Sequence, residues 1–383
     1  MNDQNLEHLL KSTNKDLAIY LHFPWCVSKC PYCDFNSHTL KANSNLQTYK
    51  QALIEDILAN HQSQYQQISS CFMGGGTPSL FPAKVIDDVL ITLSNNYSFS
   101  PDIEITLEAN PNSSDHEKFA DYRSIGINRL SIGAQSFSES QLKTLGRAHC
   151  PQDIFAAVRA AKTAGFDNIN IDLMHGLPGQ SFSEAIADLK QAIALEPNHI
   201  SWYQLTIEPN TKFAFQPPKL PDNDLRADIQ DHGIQLLADH GYQRIEVSAF
   251  AQANKQCQHN LHVWAFNDYL GIGAGAHSKL SHNRQYRHYH PNQYIKNNNK
   301  VASSETINDN ELLFQYMLNR ARILAPLSRE HILTTTKVDP KYLDAIFNQA
   351  LQEQRAKKTD NGWQLTKFGL DHLDSLVSQC IME

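Results

Sequence analysis

The sequence predicts an α/β fold, a partial (β/α)6 barrel with a smaller C-terminal helical or winged-type domain. Six short apolar runs alternate with six helix-like stretches in the first half of the chain. Glycines and polar residues directly follow several of these runs, at the positions where barrel proteins carry their sites. From about residue 308 the pattern changes to helices and a short hairpin. Strands that alternate with helices form βαβ units, so we expect a parallel sheet.

The predicted elements follow one another in a regular order. The six predicted strands are apolar or alternating runs at residues 17–23, 68–73, 103–109, 129–133, 168–174 and 199–206. Helical patterns between and after them predict helices that include residues 46–61, 82–95, 114–125, 152–164, 181–194, 222–240 and 311–324. A further strand is expected over residues 242–250. The order of these elements indicates one barrel core followed by additions.

We expect the chain to divide into four parts. These are an N-terminal segment (1–16), a core barrel (17–210), a barrel extension (211–307) and a C-terminal helical or winged-type domain (308–383). Within the last part, helices are expected near 328–335 and 340–351, with a hairpin at 356–365. Winged modules often bind DNA, but this one is not basic enough to favour that function. A cap or a docking module for a partner is therefore the favoured interpretation.

The composition argues against several classes of protein. Of the 383 residues, 41% are hydrophobic, the net charge is −7 and no long basic stripe is present, so nucleic acid is not expected as a main partner. There is no run of about 18 apolar residues, which a membrane-spanning helix would need. The N-terminus is polar and lacks the apolar centre of a signal peptide. The seven cysteines, an odd number, fit a reducing compartment. We therefore expect a cytoplasmic protein.

Three cysteines lie close together directly after the first predicted strand. Cys26, Cys30 and Cys33 are spaced by four and three residues, and prolines at 24 and 31 keep the segment out of a regular helix. Such a loop can place three thiolates around one ligand. Zinc usually takes four protein ligands in structural sites. A cubane iron–sulfur cluster usually takes four cysteines, so three would leave one iron open to a small molecule. The alternative is a loop of three unrelated thiols.

Further polar and glycine residues lie where the other predicted strands end. The second strand ends in Gly74-Gly75-Gly76-Thr77, where glycine lets backbone N–H groups come close to a ligand. A plain tight turn is the alternative. Glu108, Gln135 and Asp172 lie at or near the ends of later strands. Because the C-terminal ends of barrel strands converge, we expect these residues to surround one site together with the cysteines. An ion pair or a helix cap is the alternative for Glu108 and Asp172.

The CxxxCxxC loop resembles that of the radical S-adenosylmethionine (SAM) superfamily. From Tyr20 to about Leu324 the chain is similar to its coproporphyrinogen III oxidase-like group, and the segments that carry the resemblance are YLHFPWC, CPYCDFNSH, FMGGGTPSLF, LEANP, RLSIGAQSF, NIDLMHGLPGQ, HNLHVW and DYLGIGAGAHSK. The resemblance implies a radical SAM barrel with a [4Fe-4S] cluster whose open iron is chelated by SAM.

The resemblance also implies residue roles. It assigns the cluster to Cys26, Cys30 and Cys33. It assigns SAM contacts to residues that match family positions, namely Gly75, Gly76, Thr77, Glu108, Gln135, Arg147 and Asp172. A guanidinium such as that of Arg147 suits a carboxylate, although a surface salt bridge is the alternative. Tyr20 and Tyr32 are expected to pack beside the cluster and SAM.

Two branches of the group differ in sequence features that can be looked for in this chain. The oxidase branch has a fourth cysteine two residues after the third, where this chain has Phe35, and a longer N-terminal extension. The haem-chaperone branch has an HNxxYW segment tied to haem, which here runs from His259 to Trp264 with Val263 in place of the tyrosine. The resemblance is therefore closer to the haem-chaperone branch. His259 is the candidate axial ligand of haem iron, because histidine is the commonest such ligand. A surface-loop histidine is the alternative.

Two functions follow from the resemblance. The favoured one is a haem chaperone that binds a [4Fe-4S] cluster, SAM and haem and transfers haem to an acceptor protein, such as a membrane-associated respiratory enzyme. The alternative is an oxygen-independent coproporphyrinogen III oxidase, which carries out a radical SAM oxidative decarboxylation. Either function implies an electron donor for the cluster. The sequence leaves open whether the protein is an enzyme, which protein accepts the haem, whether haem is bound covalently and which oligomer forms.

Overall fold

The computed structural model describes residues 16–42, 44–65, 67–112 and 117–382. The predicted N-terminal segment therefore lies outside the described residues, except for Asp16. The strands of the described residues are β1 (Asp16–Phe23), β2 (Trp25–Cys26), β3 (His38–Thr39), β4 (Gln67–Gly75), β5 (Ser98–Ala109), β6 (Arg129–Gln135), β7 (Ile169–His175), β8 (His199–Gln204), β9 (Gln243–Arg244), β10 (Ala249–Ala251), β11 (Tyr269–Ile272), β12 (His277–Leu280), β13 (Asn283–Arg287), β14 (Val301–Thr306), β15 (Leu327–Ser328), β16 (Ala356–Thr359) and β17 (Gly362–Leu365).

The helices that accompany them match most of the predicted ones to within a few residues. Those of the described residues are α1 (Leu46–Ala59), α2 (Ala83–Asn96), α3 (Phe119–Ser124), α4 (Glu139–Thr144), α5 (Pro151–Thr163), α6 (Phe182–Ala194), α7 (Lys212–Phe215), α8 (Asn223–Asp239), α9 (Gln258–Trp264), α10 (Pro291–Lys296), α11 (Asp309–Arg320), α12 (Arg329–Thr336), α13 (Pro340–Gln352), α14 (Lys367–Asp371) and α15 (Leu373–Ser378), with a 3-10 turn at Pro78–Leu80. In this part of the chain no helix is both long and apolar enough to cross a membrane.

The six predicted core strands pair in parallel and in chain order. β1, β4, β5, β6, β7 and β8 are successive neighbours in one sheet, which confirms the predicted partial barrel. The side chains of β1 alternate between its two faces. Leu17, Ile19 and Leu21 belong to the main apolar core, whereas Tyr20 is hydrogen-bonded to His22 on the other face. The strands thus have an apolar outer face under the helices and a more polar inner face, where a site can form.

The sheet continues beyond both ends of the six-strand core. On one side, β11 pairs in parallel with β1, and β12, β13 and β14 follow in antiparallel order. On the other side, β10 pairs with β8 and β9 pairs with β10, both antiparallel. The predicted single strand over 242–250 is wrong, because the chain turns back and the N–H of Ile245 donates to the carbonyl of Ala249. The region predicted as an extension therefore flanks both sides of the core.

The C-terminal part has an apolar core of its own. Helices α11 to α13 and α15 pack with a three-stranded sheet in the order β15-β17-β16. Within it Phe347 stacks on Trp363, with ring centroids 3.9 Å apart. The predicted helices and hairpin of this part are present. Helix α11 ends at Arg320, four residues before the predicted end, since the following residues form a turn that contacts α9 and the residues directly after β9.

Candidate functional site

The cysteine loop is held by a short pair of strands at its base. β2 pairs in parallel with β3, so the residues between them form a closed loop directly after β1. Cys26, Cys30 and Cys33 are partly buried free thiols on this loop. The Ser37 hydroxyl lies 3.5 Å from the Cys33 sulfur, and the Thr77 hydroxyl donates to the Cys26 sulfur at 3.5 Å. The three sulfurs line one cavity of about 270 Å³.

Almost all of the predicted site residues share this cavity. Those that line it are Cys26, Cys30, Tyr32, Cys33, Gly75, Gly76, Thr77, Glu108, Gln135, Arg147 and Asp172. Most of these residues come from the loop after β1 and from the C-terminal halves of four neighbouring strands or directly after them, and Arg147 comes from the connection between α4 and α5. The tertiary structure thus brings the cysteine loop and the glycine turn together, as the barrel prediction requires.

The glycine turn is fastened to the strand that precedes the cysteine loop. The N–H of Gly76 donates to Phe23 at 2.7 Å, and the N–H of Thr77 donates to Trp25 at 2.8 Å. Gly75 has φ +106°, and a Cβ atom there would lie 2.2 Å from the His22 ring, so only glycine fits. These N–H groups and that of Gly75 donate hydrogen bonds within the protein. A contact between the glycine turn and a ligand therefore stays a prediction.

Two carboxyl groups lie side by side in the cavity. Burial, with the nearby charge of Asp172, raises the pKa of Glu108 to about 8. Burial also raises the pKa of Asp172, although hydrogen bonds from Asn170 and Ser131 oppose that shift. The Glu108 carboxyl accepts a hydrogen bond from the N–H of Gly75 at 3.3 Å. Two partly buried acids at one place suit a ligand with a cationic group or hydroxyl donors.

Arg147 links the cysteine loop to the strand ends. Its Nη1 atom donates to the Cys30 sulfur at 3.6 Å, and its Nη2 atom donates to Asn110 at 2.6 Å and to Gly133 at 2.8 Å. Asn110 in turn donates to the Thr77 hydroxyl at 2.9 Å. The side chain is therefore not a surface salt bridge, and its charge lies beside a candidate cluster ligand.

Two contributors to this network were absent from the predicted site. Asn110 follows the end of β5, and Tyr203 on β8 donates through its hydroxyl to Gln135 at 2.8 Å. Both also line the cavity. Their position at strand ends could have identified both residues from the sequence. The side-chain types alone, a common amide and a core aromatic, do not distinguish them from structural residues.

The two predicted tyrosines lie in different places. Tyr32 lines the cavity near Arg147, and its pKa is raised mainly by burial. Tyr20 does not line the cavity. Its hydroxyl is 3.1 Å from His22 Nδ1, and its ring is stacked 6.4 Å from the ring of Phe72, inside the barrel.

His259 lies apart from the cavity. It is on α9, which packs against β1 and β4, and its Nδ1 is 3.1 Å from the Ser70 hydroxyl. The ring stacks on Phe72 at 5.2 Å and the residue is 5% exposed, so it is a buried residue rather than a surface-loop one. Burial lowers the pKa of His259 to about 3, with His262 the next contribution. Of the other predicted site residues, Tyr20 is beside His259, with ring centroids 6.4 Å apart, and His259 does not line the cavity of the cysteine loop.

A cysteine loop after the first strand, a glycine turn and polar strand ends around one cavity of a partial barrel define the radical SAM class. The family model of the radical SAM superfamily matches residues 20–192 of this chain. The coproporphyrinogen III oxidase HemN from Escherichia coli, a radical SAM enzyme, has the same fold, with a TM-score of 0.83 over 100% of this chain and 94% of that one. Sequence identity to it is 21%, so this likeness concerns the fold.

Curated relatives narrow the class further. The chain is 42% identical over 377 residues to the heme chaperone HemW of Haemophilus influenzae, covering 96% of this chain and 98% of the relative. It is 41% identical over 373 residues to the heme chaperone HemW of Escherichia coli, with the same coverage of both chains. The chain belongs to the HemW family of the radical SAM superfamily. The predicted resemblance to the haem-chaperone branch is confirmed.

Proposed function

We propose that this protein is a haem chaperone that binds a [4Fe-4S] cluster and SAM in the barrel cavity, binds haem and transfers haem to an acceptor protein. The observation that carries the proposal is the cavity in which three thiols meet Arg147 and two partly buried carboxyls, in a chain over 40% identical to named heme chaperones. We also propose that it acts in the cytoplasm and takes an electron from a separate donor.

The thiols fit a cluster in number and surroundings. Cys26, Cys30 and Cys33 form no disulfide, and the Arg147 guanidinium donates a hydrogen bond to the Cys30 sulfur. The thiolate is the form of cysteine that binds iron. A cluster held by three cysteines supplies one open iron for the amino and carboxylate groups of SAM. The hydroxyls of Thr77 and Ser37 beside two of the sulfurs would stabilise their negative charge.

The remaining cavity residues fit SAM as a cationic ligand with a carboxylate and two ribose hydroxyls. Arg147 is proposed to bind the carboxylate, because a guanidinium offers several donors. Glu108 and Asp172 are proposed to accept from the ammonium group or the ribose hydroxyls. Gly75, Gly76, Thr77 and Gln135 are proposed to line the ligand, with Tyr32 against its side and Tyr20 packed behind His22.

The predicted axial ligand of haem iron, His259, does not line the barrel cavity, and its assignment stays a prediction. Its imidazole is enclosed by Ser70, Phe72 and Tyr20, so iron would reach it only after α9 moved. The domain boundaries at 211 and 308 also remain proposals, supported for the last part by its own apolar core.

Coproporphyrinogen III oxidation is the second candidate function. The fold shared with HemN supports it. Phe35, where the oxidase branch has a cysteine, speaks against it, as does the much higher identity to heme chaperones than to HemN. Phe35 lines the cavity and is 60% exposed, and its phenyl ring has no atom that could ligate a metal.

The two functions separate in one set of assays. The full chain is reconstituted anaerobically with iron and sulfide, and haem is titrated while the Soret band is recorded. Haem transfer to an apo-acceptor and consumption of coproporphyrinogen III with SAM and a reductant are then measured. We expect haem binding and transfer without porphyrinogen turnover. Turnover without haem binding would establish the second function instead.

The cluster assignment has its own control. Cys26→Ala, Cys30→Ala and Cys33→Ala should each remove most of the bound iron and acid-labile sulfide. Cys150→Ala, which alters a partly buried thiol away from the loop, should retain both. Equal iron content in all four variants would contradict the assignment.

A further inference from the structure

A second cleft lies outside the barrel cavity, between strand β8, helix α8 and the C-terminal helix α14. It has a volume of about 700 Å³, within the range of sites that bind ligands of drug size. Tyr203 borders both this cleft and the cavity of the cysteine loop, so the two sites are neighbours. None of the sequence-predicted site residues lines it. Its lining nevertheless contains polar side chains with buried atoms that have no hydrogen-bond partner among the described residues.

The first of these side chains is His175, the last residue of β7. It is 3% exposed, and its ring is tilted against Trp202 with centroids 4.3 Å apart. Among the described residues its Nδ1 atom has no hydrogen-bond partner. Burial, with the charge of Arg226, lowers the pKa of His175 to about 4, so the imidazole is neutral at physiological pH. A neutral, unpaired imidazole at a cleft is suited to bind a metal.

Two arginines provide the second observation. Arg226 on α8 and Arg244 on β9 both line the cleft, and within the described chain the Nε atom of each is buried without a partner. Arg226 donates through Nη2 to Asn223, and Arg244 donates through Nη2 to the carbonyl of Val247, so neither is held by a carboxylate in these contacts. Buried guanidinium donors that lack acceptors indicate a site for an anion.

The acidic residues of the cleft are already paired. Lys367 on α14 lies 2.9 Å from Asp231 and 2.7 Å from Asp371, and this bridge joins the C-terminal part to α8. Three cations and two carboxylates therefore line the cleft, and Asp371 and Asp231 also lie close enough to act on the charge of Arg244. The remaining lining is mixed, with an apolar part that includes Trp202, Ile234 and Leu370.

We propose that this cleft is the haem site, with His175 as the axial ligand of the iron and Arg226 and Arg244 as partners of the two propionates. The proposal rests on the proposed haem-binding function and deepens it. Haem combines an apolar ring, a metal that takes imidazole and two carboxylates on one edge. The cleft offers an apolar wall, an unpaired imidazole and two cations. An open cleft also suits a carrier that must release its ligand. Both histidines are buried, but His175 lines this cleft, whereas His259 lines neither this cleft nor the cavity of the cysteine loop.

Haem titrations of the full-length protein test the assignment. His175→Phe keeps an aromatic ring against Trp202 but removes the metal ligand. We expect it to shift the Soret band and to weaken haem binding at least tenfold. His259→Phe and His240→Phe, the latter at an exposed position, should bind haem as the unaltered protein does. Loss of binding in His259→Phe together with normal binding in His175→Phe would overturn the proposal.

The arginines are tested with a matched pair of probes, haem and haem dimethyl ester, whose propionates are uncharged. Arg226→Gln and Arg244→Gln should each weaken haem binding by about tenfold or more, because each loses a charged hydrogen bond. Neither should weaken binding of the ester, and Arg159→Gln, on α5, should change neither. Unchanged haem affinity in both arginine variants would overturn the assignment of the propionates. These variants also decide the matter if His175→Phe does not fold.

Different results would contradict the proposed function and the assignment of the cleft. If the unaltered protein neither perturbs the Soret band nor transfers haem, the proposed function is wrong and the cleft assignment is lost with it. If the unaltered protein binds haem and all the cleft variants bind it equally well, the function stands and the cleft assignment is wrong.

Discussion

The Arg147 guanidinium lies between the cysteine loop and the strand ends, with its Nη1 atom 3.6 Å from the Cys30 sulfur. Its Nη2 atom makes two shorter hydrogen bonds, to Asn110 and to the carbonyl of Gly133. One side chain therefore contacts the proposed cluster ligand and the proposed SAM site. Changes at this position should affect SAM binding and the redox behaviour of the cluster together.

Arg147→Gln should weaken SAM binding by about tenfold or more, because a charged hydrogen bond to the SAM carboxylate is lost. It should also make the reduction potential of the cluster more negative, since a nearby positive charge stabilises the reduced, more negative cluster. Calorimetry and anaerobic redox titration of the reconstituted protein measure the two effects. Arg147→Lys keeps the charge. In this variant the reduction potential of the cluster should therefore change less than the SAM affinity does. Normal values of both quantities in Arg147→Gln would contradict the assignment.

SAM binding should depend on pH through Glu108. With a pKa of about 8, this carboxyl is protonated in the free protein at pH 7, whereas a cationic ligand favours the carboxylate. SAM affinity should therefore rise between pH 6 and 8, by up to about tenfold per pH unit, with release of a proton. Calorimetry in buffers of different ionisation enthalpy measures that proton. Glu108→Gln should abolish the pH dependence, and Glu139→Gln, at an exposed position, should keep it.

The same raised pKa affects the stability of the ligand-free protein. A carboxyl whose pKa is higher in the folded than in the unfolded state contributes stability at low pH, and this contribution is lost as the pH rises through about 8. Glu108→Gln should therefore lose less stability than the unaltered protein between pH 5 and pH 9, as urea unfolding would show. An identical pH profile for both proteins would mean that Glu108 titrates normally.

Asp56→Ala should destabilise the fold by about 3–5 kcal/mol, because it leaves the Arg287 charge buried without its partner. Both side chains are 0% exposed and lie 3.3 Å apart, and the Tyr294 hydroxyl also donates to Asp56 at 2.8 Å. The pair joins α1 to β13, outside the six-strand core. Asp167→Ala, which removes an exposed partner of Lys255, should cost less than about 1 kcal/mol. Equal costs in urea unfolding would contradict this account.

Gly233→Ala should destabilise the protein and disturb the second cleft. A Cβ atom at this position of α8 would lie 1.8 Å from the Trp202 ring, too close for any contact. Overpacking of this kind costs about 1–3 kcal/mol, and the better helix propensity of alanine returns only about 1 kcal/mol. Thermal unfolding compares the variant with Gln235→Ala on the exposed face of α8, which should be neutral or slightly stabilising. A stabilised Gly233→Ala would contradict the close packing.

Much of the core could be predicted because its signals are local. The order of the six strands follows from the alternation of apolar runs and helix patterns, and each side chain at a strand end is placed by its own strand. Cys26, Gly75 and Glu108 could therefore be predicted to share one end of a barrel. Asn110 and Tyr203 lie at equivalent strand ends, but their side-chain types resemble those of ordinary structural residues.

The chain by itself thus determined the barrel and the cysteine loop, since periodicity and spacing carry these features, and its motifs carried the resemblance to the radical SAM superfamily. Only the tertiary structure decided that β11 extends the parallel sheet beside β1, that His259 is enclosed under the barrel and that a second cleft exists. Those features depend on contacts between residues far apart in the chain. His175 meets Arg244 and Lys367 at one cleft because a strand end, a sheet edge and a C-terminal helix pack together. No local pattern specifies such a meeting.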